Sequence, residues 1–341
     1  MKQKLKIVSL CDGMSCGALA LDTWLEQQGL TWDDIEYHAF EIDKYADAVS
    51  RYNYPLMYRH GDARNYKNLL GEDIFLLMGG FPCQPYSFSG KGKATEDERD
   101  LSNLIFDALK ELKPRYFLFE NVPMKKEHQD RISEGIGVEP TIINSQDVGT
   151  AHHRKRLYWT NIEIDGWHNL YKDVSLKDIL EDGFVDRDKS FCLDANYFKG
   201  GSMKMYKEKS RRQLVFDTEN KKGCRQIGVA DIKGYDIIKR VYDPDYKAPS
   251  LTTMQGGWRQ PKVATSELYW RNLTPLECER LQTVPDGYTR YGNFDDGKRV
   301  EVFSFESAED IKPISNSQRY KMLGNGWTVA VISHIMKNME K

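Results

Sequence analysis

A lone cysteine stands between two prolines in "GGFPCQPYSFSG", residues 79–90, directly after two glycines and a strand-like apolar run. Prolines fix the backbone and remove amide donors, while glycines open conformations closed to other residues. Together they predict a stiff loop that holds Cys83 at one chosen point, which a packing cysteine would not need. "FENV" puts Glu120 at the end of another strand, and "HHRKRLYW" puts Arg154 and Arg156 at alternate positions on one strand face. A thiol, a carboxylic acid and paired guanidiniums can attack a pyrimidine. The thiolate adds at C6 once N3 is protonated or strongly hydrogen-bonded, a bond Glu120 can supply. C5 then becomes an enamine carbon able to take a methyl group from a sulfonium donor, and loss of the C5 proton expels the thiolate. This is covalent catalysis, which divides a hard substitution into easier steps.

Such residues need a frame. The first 160 residues alternate apolar runs with helical stretches: "LKIVSL", "IEYHAFEID", "LMYRHGD", "DIFLLMGG" and "RYFLFENV" read as strands one to five, with "TIINSQDVG" and "RKRLYWTNI" as two more. "LSNLIFDALKELK", stopped by Pro114, reads as an amphipathic helix. Strands alternating with helices predict a doubly wound α/β domain with a mainly parallel sheet, whose ligands sit at the carboxyl ends of strands. After strand one, "SLCDGMSCG" offers a backbone cradle with Gly13 and Gly17, but it is not GxGxxG, so a pyrophosphate ligand loses its best support. Glu41 at the end of strand two could accept both ribose hydroxyls, and Asp62 at the end of strand three could receive an adenine amino hydrogen. That ordered set suits a nucleoside-type ligand without phosphates, and S-adenosylmethionine fits it.

Bulk properties narrow the field. A chain of 341 residues with 40% apolar and 29% charged residues is an ordinary globular protein of one or two domains. It shows no signal peptide and no run of membrane-spanning length, so the cytosol, with its nucleoid, is the expected location. Six scattered cysteines suit free thiols, and without zinc spacing no metal is expected. The net charge of −2 leaves room for local basic clusters, which stand at 152–156 and 199–212. From about 163 to 268 the runs are short and turn-rich. "TPLECERLQTVP" then opens a capped helix at Thr274, with proline next, and "NGWTVAVISHIMKNMEK" reads as a last helix. The expected division is 1–162, an irregular 163–268, and 269–341 returning to the first domain.

"SLCDGMSCG", "FEID", "GDAR", "GGFPCQPYSFSG", "FENV", "HHRKRLYW", "TPLECERLQTVP" and "LGNGWTVAV" stand in this order along almost the whole chain. In this it resembles the DNA (cytosine-5)-methyltransferases. Details such as "AHHRKRLYW", "APSLTT" and the tryptophan of "GNGWTV" are similar to the mammalian de novo enzymes; the lack of a regulatory N-terminal domain suits a bacterial or phage type. The resemblance implies a Rossmann-like S-adenosylmethionine-dependent methyltransferase domain with a smaller irregular target recognition domain over 163–268. It implies double-stranded DNA as partner, S-adenosylhomocysteine as product and a monomer, and leaves a cognate restriction enzyme open. Cys83 would be the nucleophile, in a loop shaped by Pro82 and Gln84, with Ser87 nearby. Glu120 would contact the base, supported by Asn121 and Val122, and Arg154 and Arg156 would lie near the base and its phosphate. Leu10, Asp12, Gly13, Gly17, Glu41, Ile42, Asp62, Ala63, Pro82, Asn325 and Trp327 would surround the donor. Arg211, Arg212, Arg259 and Gln260 are candidate DNA contacts, since arginine and glutamine suit guanine and adenine edges. His152 departs from the pattern, standing where many members carry glutamine. Two alternatives remain: the same chemistry on tRNA, which the long 163–268 insert disfavours, and an inactive DNA-binding homologue, which the intact Cys83, Glu120 and arginines disfavour.

Overall fold

The computed structural model describes residues 3–82, 101–167, 174–216, 226–229, 240–242, 262–263, 270–295 and 310–341. Cys83, Gln84, Ser87, Arg259 and Gln260 lie outside them. The apolar runs become strands β1 (Leu5–Leu10), β2 (Ile35–Phe40), β3 (Tyr58–Arg59), β4 (Ile74–Gly80), β5 (Tyr116–Asn121), β6 (Thr141–Asn144) and β7 (Lys155–Thr160). They form one sheet in the order β3-β2-β1-β4-β5-β7-β6. The first five are parallel, and β7 and β6 are antiparallel. Strand order reverses between β1 and β4, so Leu10 lies beside Gly79 where the two strands end. That is the position at which a doubly wound sheet opens a ligand crevice.

Helices cover both faces: α1 (Cys16–Gln27), α2 (Lys44–Asn53), α3 (Ser102–Leu112) and α4 (Lys126–Ile136). One apolar layer gathers Ile7, Trp24, Leu76 and Ile332, and a second gathers Val8, Phe40, Leu77, Phe119 and Trp159. Alternate residues of β1 and β4 therefore feed opposite layers, as a sheet buried on both faces requires. Each fully buried Leu or Ile contributes about 1.5–3 kcal/mol of transfer free energy, enough to fix strand register against a one-residue slip.

Two expectations need correction. "LMYRHGD" is a strand for only two residues, because Gly61 takes a positive φ and Asp62 caps the following turn by accepting from the Arg64 amide. Beyond residue 163 the described residues hold α5 (Met203–Lys209) and short strands β8 (Leu214–Phe216), β9 (Gln226–Val229), β10 (Arg240–Tyr242), β11 (Lys262–Val263) and β12 (Trp270–Asn272). Helix α6 (Pro275–Leu281) starts with the expected cap, Thr274 and Glu277 bonding each other's backbone amides in a capping box. A hairpin of β13 (Tyr291–Asn293) and β14 (Ile311–Pro313) follows. Helix α7 (Asn316–Asn325) comes next, and the expected last helix over 325–341 is helical only as α8 (Val329–Met336). Gly326 adopts an extended conformation between them, and its carbonyl is taken by Arg154 and Gln282. Trp24 of α1 donates to the carbonyl of Met339 at 3.0 Å, which fastens the chain end to the first helix.

Candidate active site

A cavity of about 260 Å³ opens at the carboxyl ends of β1, β2, β4 and β5. Its first wall is the turn after β1. Cys11, Gly13 and Ser15 all have positive φ, and a Cβ on Gly13 would point into open space. The turn is held by carboxylates. The Gly13 amide donates to Glu41 Oε2 at 2.7 Å, while Glu41 Oε1 accepts from the Ile42 and Asp43 amides at 2.9 and 2.7 Å. Asp12 accepts from the Tyr37 hydroxyl at 2.6 Å and from Ser15. Burial pushes the carboxyls of Asp12 and Glu41 above their ordinary range, opposed only in part by these hydrogen bonds. Ile42 stands on the rim with 77% of its surface exposed, although it is large and apolar. Asp43 caps α2 and also meets Lys321 of α7 at 2.5 Å, so one ion pair joins two sides of the cavity.

The second wall is the pairing of β4, β5 and β7, where Gly80 lies beside Glu120 and Glu120 beside Tyr158. Arg156 Nε lies 2.8 Å from Glu120 Oε1, both side chains nearly buried. Burial opposes the Arg156 charge, but Cys192, Glu120 and Tyr158 more than offset that and raise its pKa. Gly80 is the seam between the walls. A Cβ there would fall 2.8 Å from Trp327 Nε1 and 3.4 Å from Glu120 Oε2.

Of the residues the sequence nominated, Asp12, Gly13, Gly17, Glu41, Ile42, Pro82, Glu120, Arg154, Arg156, Asn325 and Trp327 line this cavity. Leu10 is packed in the second apolar layer beneath it. Asp62 and Ala63 do not line it; Asp62 pairs with Arg64 at 2.8 Å. Asn121 is a brace, accepting from the Val122 amide at 2.8 Å and donating to the Phe81 carbonyl at 3.4 Å. Arg211 meets Asp194 at 3.2 Å, and the buried Arg212 turns inward to the Gly200 carbonyl. Arg154 precedes β7 rather than lying on its face, and its guanidinium is spent on main-chain carbonyls. His152 is fully buried, and burial, with the guanidiniums of Arg154 and Arg156, holds it neutral.

Reading the sequence missed Phe81, Asp43 and Lys321, all on the cavity wall, and Cys192, whose sulfur lies 3.8 Å from Arg154 Nη1 and 3.9 Å from Arg156 Nη2. Those two cations pull its thiol pKa down despite burial. Lys321 is one of many surface-type lysines in the sequence, and nothing local marks it. Among the described residues no group of three or more His, Cys, Asp or Glu is placed to hold a metal, and no helix is long and apolar enough to cross a membrane.

Sheet order, crevice and carboxylate-held glycine turn define a Rossmann-like methyltransferase fold. The chain belongs to the C-5 cytosine-specific DNA methylases, whose family model matches residues 5–341. It is similar to the orphan methyltransferase M.SPBetaI of Bacillus phage SPbeta, 26% identical over 440 aligned positions that cover 98% of this chain and 97% of the relative. The type II methyltransferase M1.ScrFI of Lactococcus lactis subsp. cremoris is 27% identical over 316 positions, covering 88% and 70%. In fold the chain matches a mutant of Spodoptera frugiperda DNMT2 with a TM-score of 0.56 and 18% identity, over 98% of this chain and 99% of that one.

Proposed function

We propose that this DNA cytosine-5 methyltransferase acts on a cytosine extruded from duplex DNA, through a covalent bond between Cys83 and C6. The buried Glu120–Arg156 pair carries the reading, because it puts an acid and a fixed cation on one wall of a cavity whose other wall suits a nucleoside. The donor, S-adenosylmethionine, would supply an electrophilic methyl on a sulfonium. The residues present fit such a group: Glu41 is set for a ribose diol, Ile42 offers an exposed apolar face, and the open space above Gly13 lets a ligand approach the backbone. Asn325 and Trp327 would close the pocket from the α7–α8 side.

Extrusion costs a few kcal/mol of stacking and pairing, which contacts to the base must return. Glu120 hydrogen-bonds N3 and shares a proton with it, drawing electrons from C6 so that the Cys83 thiolate can add. Arg156 holds the Glu120 carboxyl in place and neutralises the charge left when that proton moves to the base. Once C5 carries the methyl group, its proton leaves to a base and the C6–sulfur electrons return to Cys83. Residues 163–268 would read the target, with Arg211, Arg259 and Gln260 as candidate contacts. The relatives include both orphan and type II methyltransferases.

The test is transfer of labelled methyl from S-adenosylmethionine to duplex DNA, with Cys83→Ala beside it and base-resolution mapping of the product. Label in C5-methylcytosine, absent with the variant, supports the reading and gives the recognition sequence. A duplex with 5-fluorocytosine at the mapped position, which has no C5 proton to lose, should trap the protein covalently. Label in tRNA but not in DNA, or none anywhere, overturns it.

A further inference from the structure

Arg154 is 4% exposed and meets no carboxylate within ion-pair distance among the described residues. Its Nη1 donates to the carbonyls of Leu193 at 3.1 Å and Gly324 at 3.3 Å, and its Nη2 to those of Gly324 at 3.3 Å and Gly326 at 2.8 Å. Those carbonyls come from two segments. Leu193 belongs to the stretch that leads into α5 and β8. Gly324 and Gly326 belong to the end of α7 and the loop behind it, which also carries Asn325 and Trp327 on the cavity wall. A guanidinium at a helix C-terminus satisfies last-turn carbonyls and complements the negative end of the helix dipole. The two segments also touch directly. A Cβ on Gly324 would lie 2.4 Å from the backbone of Asp194 and Ala195, so only glycine allows that approach. Arg154 is itself anchored, its amide donating to Asn144 Oδ1 at 2.9 Å and its neighbour His153 donating to the Ser190 carbonyl at 2.9 Å.

We propose that Arg154 is a positioning residue and not a base contact. It ties the donor-pocket loop Gly324–Trp327 to the root of the target-reading segment at Cys192–Ala195, so that filling the donor pocket and engaging DNA reinforce one another. Arg156, two residues on, is aimed at Glu120; it touches Cys192 Sγ at 3.9 Å but makes no bond to the Gly324–Trp327 loop. The coupling to DNA rests on the function proposed above; the clamp itself does not.

Two measurements separate these parts. Amide hydrogen exchange on the ligand-free protein reads the clamp directly: Arg154→Gln and Gly324→Ala should speed exchange at 323–327 and 192–195, while Arg156→Lys leaves 323–327 at the wild-type rate. Calorimetry then reads S-adenosylhomocysteine affinity with and without the duplex mapped as substrate. Wild type should bind it about tenfold or more tightly when DNA is present, and Arg154→Gln should lose that enhancement along with part of the basal affinity. Arg156→Lys should keep the enhancement and lose kcat. If Arg154→Gln does not fold, Arg154→Lys, which keeps the charge but not the fork, takes its place with a smaller loss. Wild-type exchange and wild-type coupling in the Arg154 variants, with kcat falling as in Arg156→Lys, would overturn the proposal and return Arg154 to the base. A wild-type protein that binds no S-adenosylhomocysteine would sink the functional reading alone, because the exchange data still decide the clamp.

Discussion

The two walls of the cavity hold charge in opposite ways. On the donor wall, Asp12 and Glu41 are half-buried and form no ion pair among the described residues; backbone amides and hydroxyls hold them, and burial raises both carboxyls. On the base wall, Glu120 is paired with Arg156, and a second guanidinium stands close by. A cationic ligand is favoured on the first wall, and negative charge developing on a substrate is favoured on the second. The walls meet at Gly80, where a missing side chain lets Trp327 and Glu120 approach. The donor-wall acids, without an ion pair, attract a cation; Glu120 is fixed in place by Arg156.

Breaking either wall should show this contrast. The largest effect is expected for Glu120→Gln, which removes the acid but keeps the shape. Methyl transfer should fall about 10²–10⁴-fold, the range of general acid–base contributions, with donor affinity unchanged in calorimetry. Equal losses in donor affinity and rate would erase the distinction between the walls. Glu41→Ala should do the reverse. Losing acceptors for three amides, each charge-assisted bond being worth about 1.5–3 kcal/mol, should weaken S-adenosylhomocysteine binding about 10–100-fold while kcat at saturating donor holds.

The donor wall should also respond to pH with a definite sign. Because burial raises Glu41, its carboxylate is protonated on acidification before an ordinary glutamate would be, and affinity for a cationic donor should drop as pH falls through that raised pKa. Folding stability should move the other way. A carboxyl whose folded pKa exceeds its unfolded one binds more protons when folded, so this contribution grows as pH falls and is lost as pH rises. Calorimetry and thermal melts from pH 7 to 4 on wild type and Glu41→Gln would show both trends or neither.

Smaller effects sharpen the seam. Gly80→Ala forces Trp327 aside; overpacking of this kind costs about 1–3 kcal/mol, and a melt together with donor KM should register it. The smallest is Lys321→Met, which removes the half-exposed bridge to Asp43. At about 0.2–1 kcal/mol for such pairs, donor KM should rise no more than about fivefold, and the wild-type advantage should fade at high salt.

Much of the frame was legible in the residues. Apolar runs alternating with helical stretches marked all seven strands, and Thr274 and Pro275 marked the start of α6, because these signals lie within a few residues of the elements they specify. Legibility failed where a partner is remote. The sequence alternation of Arg154 and Arg156 suggested one shared face, yet one turns to carbonyls about 40 and 170 positions away and the other to Glu120. The last helix read as starting at Asn325 but starts at Val329, because nothing local announces that Gly326 is held extended by Arg154 and Gln282. Asp62 is a different case: its partners in the structure, the Arg64 amide and guanidinium, are local, and it lies off the cavity wall.

The sequence by itself therefore determined the class of fold and the chemical cast: a thiol in a proline-bound loop, an acid at a strand end, arginines after it, and a glycine turn followed by Glu41. Short-range backbone and burial preferences suffice for those. Only the tertiary structure decided which acid is paired, which arginine meets Glu120, and that Gly80 and Gly324 must lack side chains. Each of those depends on atoms brought together from distant parts of the chain, and their distances are set by how the packed layers meet.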